Sequence, residues 1–339
     1  MRVLLIKTSS MGDVIHTLPA ITDLAAHFPN LELDWVVEEG FTEVPSWHPH
    51  VRRVIPVAVR RWRKNLKQFV KSGEWAACKQ QAAGPYDVVI DAQGLLKSAA
   101  LTRAFAKLSP GCRIIGYDKK SIREPLASLF YREKMTVSRE QHAVTRIRQL
   151  FAQAFNYPLP ETAPDYGLDR NRFGAKAEKP TVLLLHGTTR FDKHWPDKYW
   201  ETLAELLGNN GYQIQVPWFS EAEQRRAQKL ADVHQNVCVL ARTNLAGMAA
   251  HIASAHAIVA VDTGLGHLAA ALAVPTLSLY GPTSPALIGA FGPNQYHLQA
   301  SAQPPVNAKV EPEVFAPLTP ALVFAKLNDI IHQPVRQSA

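Results

Sequence analysis

The sequence predicts an α/β protein built from two doubly wound domains, and three observations carry that reading. Short β-rich apolar runs alternate with helix-period stretches along nearly the whole chain, the pattern of parallel sheets joined by right-handed crossovers. The alternation breaks once, between Tyr157 and Pro180, in a stretch holding Pro158, Pro160, Pro164, Gly167 and Gly174. And 339 residues, 47% hydrophobic and 19% charged, suffice for about two domains with separate cores. The expected division is a first domain over 1–165, a second over 176–315 and a final helix over 319–332.

In the first half the strand candidates are 3–6, 31–37, 54–59, 88–90 and 113–116, with helical stretches near 14–28, 62–70, 97–106 and 142–155. In the second half the strands fall at 181–185, 213–218, 237–240, 257–261 and 276–279. The helices between them lie near 197–209, 221–231, 244–254 and 265–273. The last helix, about 320–331, has Thr319 as its cap and Pro320 at its first position. Two such domains facing one another leave a cleft, and ligands in such sheets sit beyond the carboxyl ends of the strands.

Composition narrows the class of protein. Residues 3–6 are the only apolar run before Lys7, shorter than the roughly seven to fifteen a signal peptide needs, and no run of about twenty apolar residues appears. Cys78, Cys112 and Cys238 are scattered, as buried thiols of a reducing compartment would be. A cytosolic chain is expected. The charge is localised: residues 52–79 hold nine bases against one acid, Glu74, leaving +8 there, while the other 28 basic and 28 acidic residues cancel. Trp62, Leu66, Phe69 and Val70 mark one apolar helical face, with Arg60, Arg61, Arg63, Lys64, Lys67 and Lys71 around it. A basic amphipathic helix suits phosphorylated lipid at an anionic membrane; nucleic acid is not expected, since no nucleic-acid motif accompanies the charge.

Three loops could carry chemistry. After the first strand, Lys7, Ser9, Ser10, Gly12 and Asp13 place a tight turn and a carboxylate where a helix opens. Asp13 could merely cap that helix, or take a proton from an acceptor hydroxyl. No G-x-G-x-x-G accompanies it, which argues against a dehydrogenase. In the second half, Thr188, Thr189, Arg190 and Lys193 follow a strand and precede a helix, a mixture of hydroxyls and cations suited to phosphate oxygens or to an ordinary solvated loop. The sharpest signal is Asp262-Thr263-Gly264-Leu265-Gly266-His267: a strand end, a glycine-rich turn and a helix start, where an anion is favoured. Tyr280-Gly281-Pro282-Thr283 lies on the same rim and reads as structural. No D-x-D pair is present, so divalent metal is dispensable on this reading, with cations, hydroxyls and a helix dipole neutralising a diphosphate.

Together the segments VLLIKTSSMGD (3–13), VVEEG (36–40), RRWRK (60–64), DAQGLLKS (91–98), TTRFDKHWP (188–196), DTGLGH (262–267) and YGPT (280–283) resemble the ADP-heptose:lipopolysaccharide heptosyltransferases. The likeness is greatest to the branch that adds the first heptose to the inner core; 300–318 and the tail after Ile331 carry little of it. The resemblance implies a GT-B fold, with acceptor bound by the first domain, donor by the second, and the last helix returning to the first. It implies an inverting transfer of L-glycero-D-manno-heptose from ADP-heptose to a hydroxyl of 3-deoxy-octulosonic acid (Kdo) on Kdo2-lipid A. Asp13 is then the general base. Thr188, Thr189, Lys193, Asp262, Thr263, Gly264 and His267 contact the diphosphate, Glu223 holds the ribose and Thr243 lines the adenine pocket. Lys7, Ser9, Ser10, Gly12, Arg60, Arg61, Arg63, Lys64 and Lys67 face the acceptor. No metal or resident cofactor is expected, ADP-heptose being a substrate. The chain is expected as a monomer, peripheral on the cytoplasmic side of the inner membrane. Three readings stay open beside this one: a transferase whose acceptor already bears a heptose, another nucleotide-sugar transferase or epimerase of the same fold, and a non-catalytic anionic-lipid binding protein.

Overall fold

The computed structural model describes residues 1–300 and 314–332. The chain divides into two compact units, Met1–Leu168 and Asp169–Ala339.

The first unit is built on six parallel strands: β1 (Arg2–Ile6), β2 (Glu32–Glu38), β3 (Val51–Val57), β4 (Val88–Asp91), β5 (Arg113–Tyr117) and β6 (Glu133–Met135), in the order β3-β2-β1-β4-β5-β6. β1 is central, and Val3, Leu4, Leu5 and Ile6 are fully buried because helices cover both faces. Burying each such side chain stabilises the fold by about 1.5–3 kcal/mol. The second unit repeats the plan with β7 (Thr181–Leu185), β8 (Gln213–Val216), β9 (Val237–Val239), β10 (Ala257–Val261), β11 (Thr276–Tyr280) and β12 (Gln295–Gln299), in the order β12-β11-β10-β7-β8-β9. Its core gathers Val182, Leu184, Trp195, Trp200 and Val259.

Several expected elements change. The 14–28 helix is two, Met11–Ile15 and Leu18–His27, because Pro19 lacks the N–H that would continue the first. The 62–70 helix is also two, Val59–Lys64 and Leu66–Ser72, broken at Asn65, whose Oδ1 accepts from Gln68 N at 3.1 Å. Only part of the foreseen apolar stripe is buried. Trp62 packs on Phe69 and Trp75, with ring centroids 4.6 and 6.3 Å away, whereas Val70 is 79% exposed. A helix over Glu74–Gln81 and the edge strands β6 and β12 had no apolar run to announce them.

The last helix, Pro320–His332, begins where Thr319 Oγ1 accepts from Leu322 N at 3.3 Å. Val323, Leu327 and Ile330 are buried in the second unit's own core with Trp195, Trp200 and Leu203, and its apolar stripe is satisfied there. Parts of the expected 176–315 domain and of the tail lie outside the described residues.

Candidate active site

The loop leaving β1 holds five of the foreseen residues. Ser10 caps the Met11–Ile15 helix, and Asp13 sits three residues in, so both Ser10 N and Ser10 Oγ donate to Asp13 Oδ2 at 2.8 Å. Asp13 is therefore a cap partner through one oxygen, while its side chain stays 47% exposed and its Oδ1 lies 3.8 Å from Lys7 Nζ. Gly12 is buried within the helical turn and has no left-handed backbone, which corrects its expected part in a tight turn. Lys7 is buried, and Nζ donates to Ala92 O at 3.1 Å. Burial pushes the Lys7 ammonium down from its ordinary value, while Asp13 and Asp91 hold it up. Lys7 is placed to act on Asp13 more than on an incoming molecule.

The neighbouring loop, after β4, locks against this one. Asp91 is fully buried and accepts from Tyr131 Oη at 2.7 Å, Gln93 N at 2.8 Å and Gly94 N at 3.1 Å; burial still raises its pKa. Gln93 Oε1 accepts from Thr8 N and Thr8 Oγ1, both at 2.8 Å, and Lys97 Nζ donates to Ser9 Oγ at 2.8 Å. Burial lowers the Lys97 pKa, opposed first by the charge of Glu38. Glu38, at the end of β2, accepts from Arg60 N at 2.9 Å through Oε1, and its buried Oε2 has no hydrogen-bond partner among the described residues. Sequence reading passed over Glu38, Gln93 and Lys97 as site residues, although two of the quoted segments contain them.

The basic segment is less uniform than its composition. Arg52 and Arg53 pair with the buried Asp34 at 2.8 and 3.1 Å, near the opposite, amino-terminal end of the strands. Arg61 pairs with both Glu39 and Glu74. Glu74 also accepts from Trp62 Nε1 at 2.6 Å, and Arg61 foremost holds its carboxyl down at about 2. Three of the nine bases thus have partners already, because acids distant in sequence come to them. Arg60 lies over the Phe41 ring at 5.6 Å. Arg63, Lys64 and Lys67 are exposed and have no carboxylate paired with them among the described residues.

In the second unit the foreseen residues all follow the carboxyl ends of strands. Lys193 Nζ reaches Asp262 Oδ2 at 2.5 Å, Thr283 Oγ1 donates to the same oxygen at 2.7 Å, and Thr188 Oγ1 donates to Asp262 O at 3.2 Å. Asp262 draws the loops after β7, β10 and β11 together, and Thr283 joins a site it was not expected in. Thr263 caps the Gly264–Ala271 helix, within which Gly266 and His267 are buried. A Cβ on Gly266 would stand 3.6 Å from Ala260 Cβ, so a small residue lets this helix lie close to β10. Thr189 and Arg190 are exposed, and Arg190 pairs with Asp192.

Glu223 is part of a capping box. Its Oε2 accepts from Phe219 N at 2.7 Å and Ser220 N at 3.2 Å, while its Oε1 lies against Gly187, where a Cβ would approach within 2.6 Å. The carboxylate therefore borders the Thr188 loop. Thr243 stands over the start of the Leu245–Ser254 helix, where a Cβ on Gly247 would collide with its Oγ1. Among the described residues no group of three or more His, Cys, Asp or Glu is placed to hold a metal ion.

Two Rossmann-like units, each with its polar loops at the carboxyl ends of parallel strands, make this a GT-B glycosyltransferase. The chain belongs to glycosyltransferase family 9 (heptosyltransferase), whose profile matches residues 75–317. A lipopolysaccharide heptosyltransferase 1 from Pseudomonas aeruginosa is 59% identical over 300 residues, 88% of this chain and 83% of that protein. The solved Escherichia coli heptosyltransferase WaaC with ADP matches at TM-score 0.88 and 44% identity, covering 97% of this chain and 100% of that one. The same E. coli protein with ADP-2-deoxy-2-fluoro heptose matches at 0.85 and 44%, covering 97% and 99%.

Proposed function

We propose that the chain transfers L-glycero-D-manno-heptose from ADP-heptose to a Kdo hydroxyl of Kdo2-lipid A, inverting the anomeric carbon. The relative's name and the ADP-sugar analogue held by the E. coli structure support the donor and the lipopolysaccharide context. The observation that carries the chemistry is the orientation of Asp13: Ser10 fixes one carboxylate oxygen, and the side chain remains half exposed beside the buried Lys7 ammonium.

Asp13 takes the acceptor hydroxyl proton as that oxygen bonds to the anomeric carbon. The bond from that carbon to the phosphate oxygen breaks in the same step, and ADP leaves with the electron pair. Lys193, the hydroxyls of Thr188, Thr189 and Thr283, His267 and the backbone of Asp262, Thr263 and Gly264 neutralise the departing diphosphate. Glu223 and Thr243 border the nucleoside. On the acceptor side Ser9, Ser10, Arg60, Arg63, Lys64 and Lys67 meet the anionic sugar and lipid phosphates, with Lys7 holding Asp13 from behind and Arg61 bracing the basic segment through Glu39 and Glu74. The protein works as a monomer, peripheral on the cytoplasmic side of the inner membrane, without nucleic acid or a required metal. No helix of the described residues is long and apolar enough to cross a membrane.

A mass-spectrometric transfer assay tests the reading. ADP-heptose should add one heptose to Kdo2-lipid A and none to an acceptor that already bears one. Transfer only to the second acceptor would reassign the chain to the next step, and no transfer to either would overturn the reading.

A further inference from the structure

One feature of the first unit has no part in this chemistry. Between β5 and β6 the chain forms a short 3₁₀ turn, Pro125–Phe130, that exposes two leucines: Leu126 is 63% and Leu129 73% exposed. Leu96, 41% exposed, adjoins them at the start of the Leu96–Ala106 helix, where its N–H donates to Glu124 Oε2 at 2.7 Å. Isolated exposed leucines are ordinary, but three brought together on one shoulder are not.

The exposed charges around them are basic, and the acids are only half exposed. Lys119, Lys120 and Arg123 are exposed, and no carboxylate among the described residues pairs with them. The acids of the same stretch are engaged elsewhere. Asp118 accepts from Ser121 Oγ at 2.5 Å and Thr136 Oγ1 at 3.0 Å, Glu124 caps Leu96, and Glu133 pairs with Arg113 at 2.5 Å. The exposed leucines therefore stand beside cations with no carboxylate paired to them among the described residues, while the nearby acids are held by hydrogen bonds and an ion pair.

Topology sets the orientation. All six strands run parallel, so the loops after β1, β3, β4 and β5 leave from one rim. Asp13 and Lys97 follow the central strands β1 and β4. The exposed bases Arg63, Lys64 and Lys67 follow β3 on one side, and the leucine turn follows β5 on the other. A polar centre with a basic shoulder on each side fits a broad anionic sheet better than a compact ligand.

We propose that Leu126 and Leu129, with Leu96 beside them, insert into the interfacial layer of an anionic lipid bilayer and hold the first unit's rim against it. This rests on the acceptor being lipid-borne. Apolar insertion adds to charge attraction and persists in salt that screens the latter.

The experiment uses the full chain with vesicles of phosphatidylcholine alone or with about one third phosphatidylglycerol. Wild type should cosediment with the anionic vesicles and retain part of that binding at about 0.5 M salt. Leu126→Ser with Leu129→Ser should weaken binding roughly tenfold and abolish the salt-resistant part. A second variant, Leu129→Trp, should bind at least as well and shift its emission to the blue on anionic vesicles. Wild-type binding by the double variant, no binding by the wild type, or an unshifted Leu129→Trp emission would each overturn the proposal. Turnover on a water-soluble Kdo acceptor separates the two readings. The serine variant should keep that turnover, and its absence in the wild type as well would sink the transferase reading while leaving the vesicle result to stand.

Discussion

Lys193 Nζ lies 2.5 Å from Asp262 Oδ2, in a pair whose side chains are only 14% and 8% exposed. The two are 69 residues apart in sequence, and their meeting joins the loops after β7 and β10. A diphosphate entering between the Thr188 hydroxyl and the Gly264–Ala271 helix would draw on the same ammonium. Lys193→Ala should weaken ADP affinity roughly 10- to 100-fold, the worth of a charge-assisted hydrogen bond. It should also lower the melting temperature, because Asp262 keeps only the Thr283 hydroxyl on that oxygen. Calorimetry with ADP reads the first effect; unchanged affinity removes Lys193 from the donor site.

Asp13→Asn separates the cap that Ser10 makes with this carboxylate from the proposed base. The amide oxygen can still accept from Ser10, so the helix start and the fold should persist. The amide cannot serve as the proposed base, and turnover should drop about 10²–10⁴-fold with ADP-heptose affinity unchanged. Near-normal turnover in single-turnover mixing would show that another group takes the proton.

The basic segment should respond unevenly. Arg63→Glu with Lys64→Glu reverses exposed charges that have no carboxylate partner among the described residues, and should raise the acceptor KM while leaving donor affinity and melting temperature alone. Arg61→Glu would put a third acid beside Glu39 and Glu74, and should loosen the Trp62–Glu74 contact as well. Thermal unfolding of the two variants checks the contrast, and equal destabilisation would contradict it.

Acid should destabilise the first unit through His48 and the second through His186. Each is almost wholly buried; burial foremost, then His50 and Arg226 respectively, pushes them down to about 3 and about 4. Their hydrogen bonds hold both rings in place: His48 Nδ1 accepts from His50 N at 3.2 Å and its Nε2 donates to Thr22 Oγ1 at 3.0 Å, while His186 Nε2 donates to Pro217 O at 2.9 Å. The unfolded chain takes up these protons below about pH 6.5, where the folded chain does not. Their stabilisation is complete above that pH and is lost as pH falls towards 3–4, by about 1.4 kcal/mol per unit for each ring. Melting curves between pH 7.5 and 5 should show the fall, and His48→Gln should make it shallower. Parallel slopes in the two proteins would mean that His48 is not neutral when folded.

What sequence could and could not show follows from where each signal resides. β1 and β10 were legible because buried parallel strands must be apolar throughout, and Val3 to Ile6 and Ala257 to Val261 are. β6 and β12 were not, since edge strands such as Gln295–Gln299 need no such run. Asp13, Lys193 and Asp262 stand in loops whose residue types announce chemistry, and they occupy the strand ends expected of them. Lys97 and Glu38 drew no attention because their roles depend on Ser9 and Arg60, partners that only the fold supplies. The same holds in reverse for Arg52, Arg53 and Arg61. Composition counts a base, but Asp34, Glu39 and Glu74 decide whether its charge is available.

The indole of Trp195, two residues beyond Lys193, donates from Nε1 to the carbonyl of Leu318 at 3.0 Å, just ahead of the Pro320–His332 helix. The loop that carries Lys193 is thus braced by a residue 123 positions beyond Trp195 in the chain. Without that helix the Trp195 indole keeps its ring contacts with Tyr199 and Trp200 but loses the Leu318 carbonyl and the apolar side chains packed beside it. Truncation before Leu318 should therefore lower the second unit's thermal stability, because Val323, Leu327 and Ile330 leave its core.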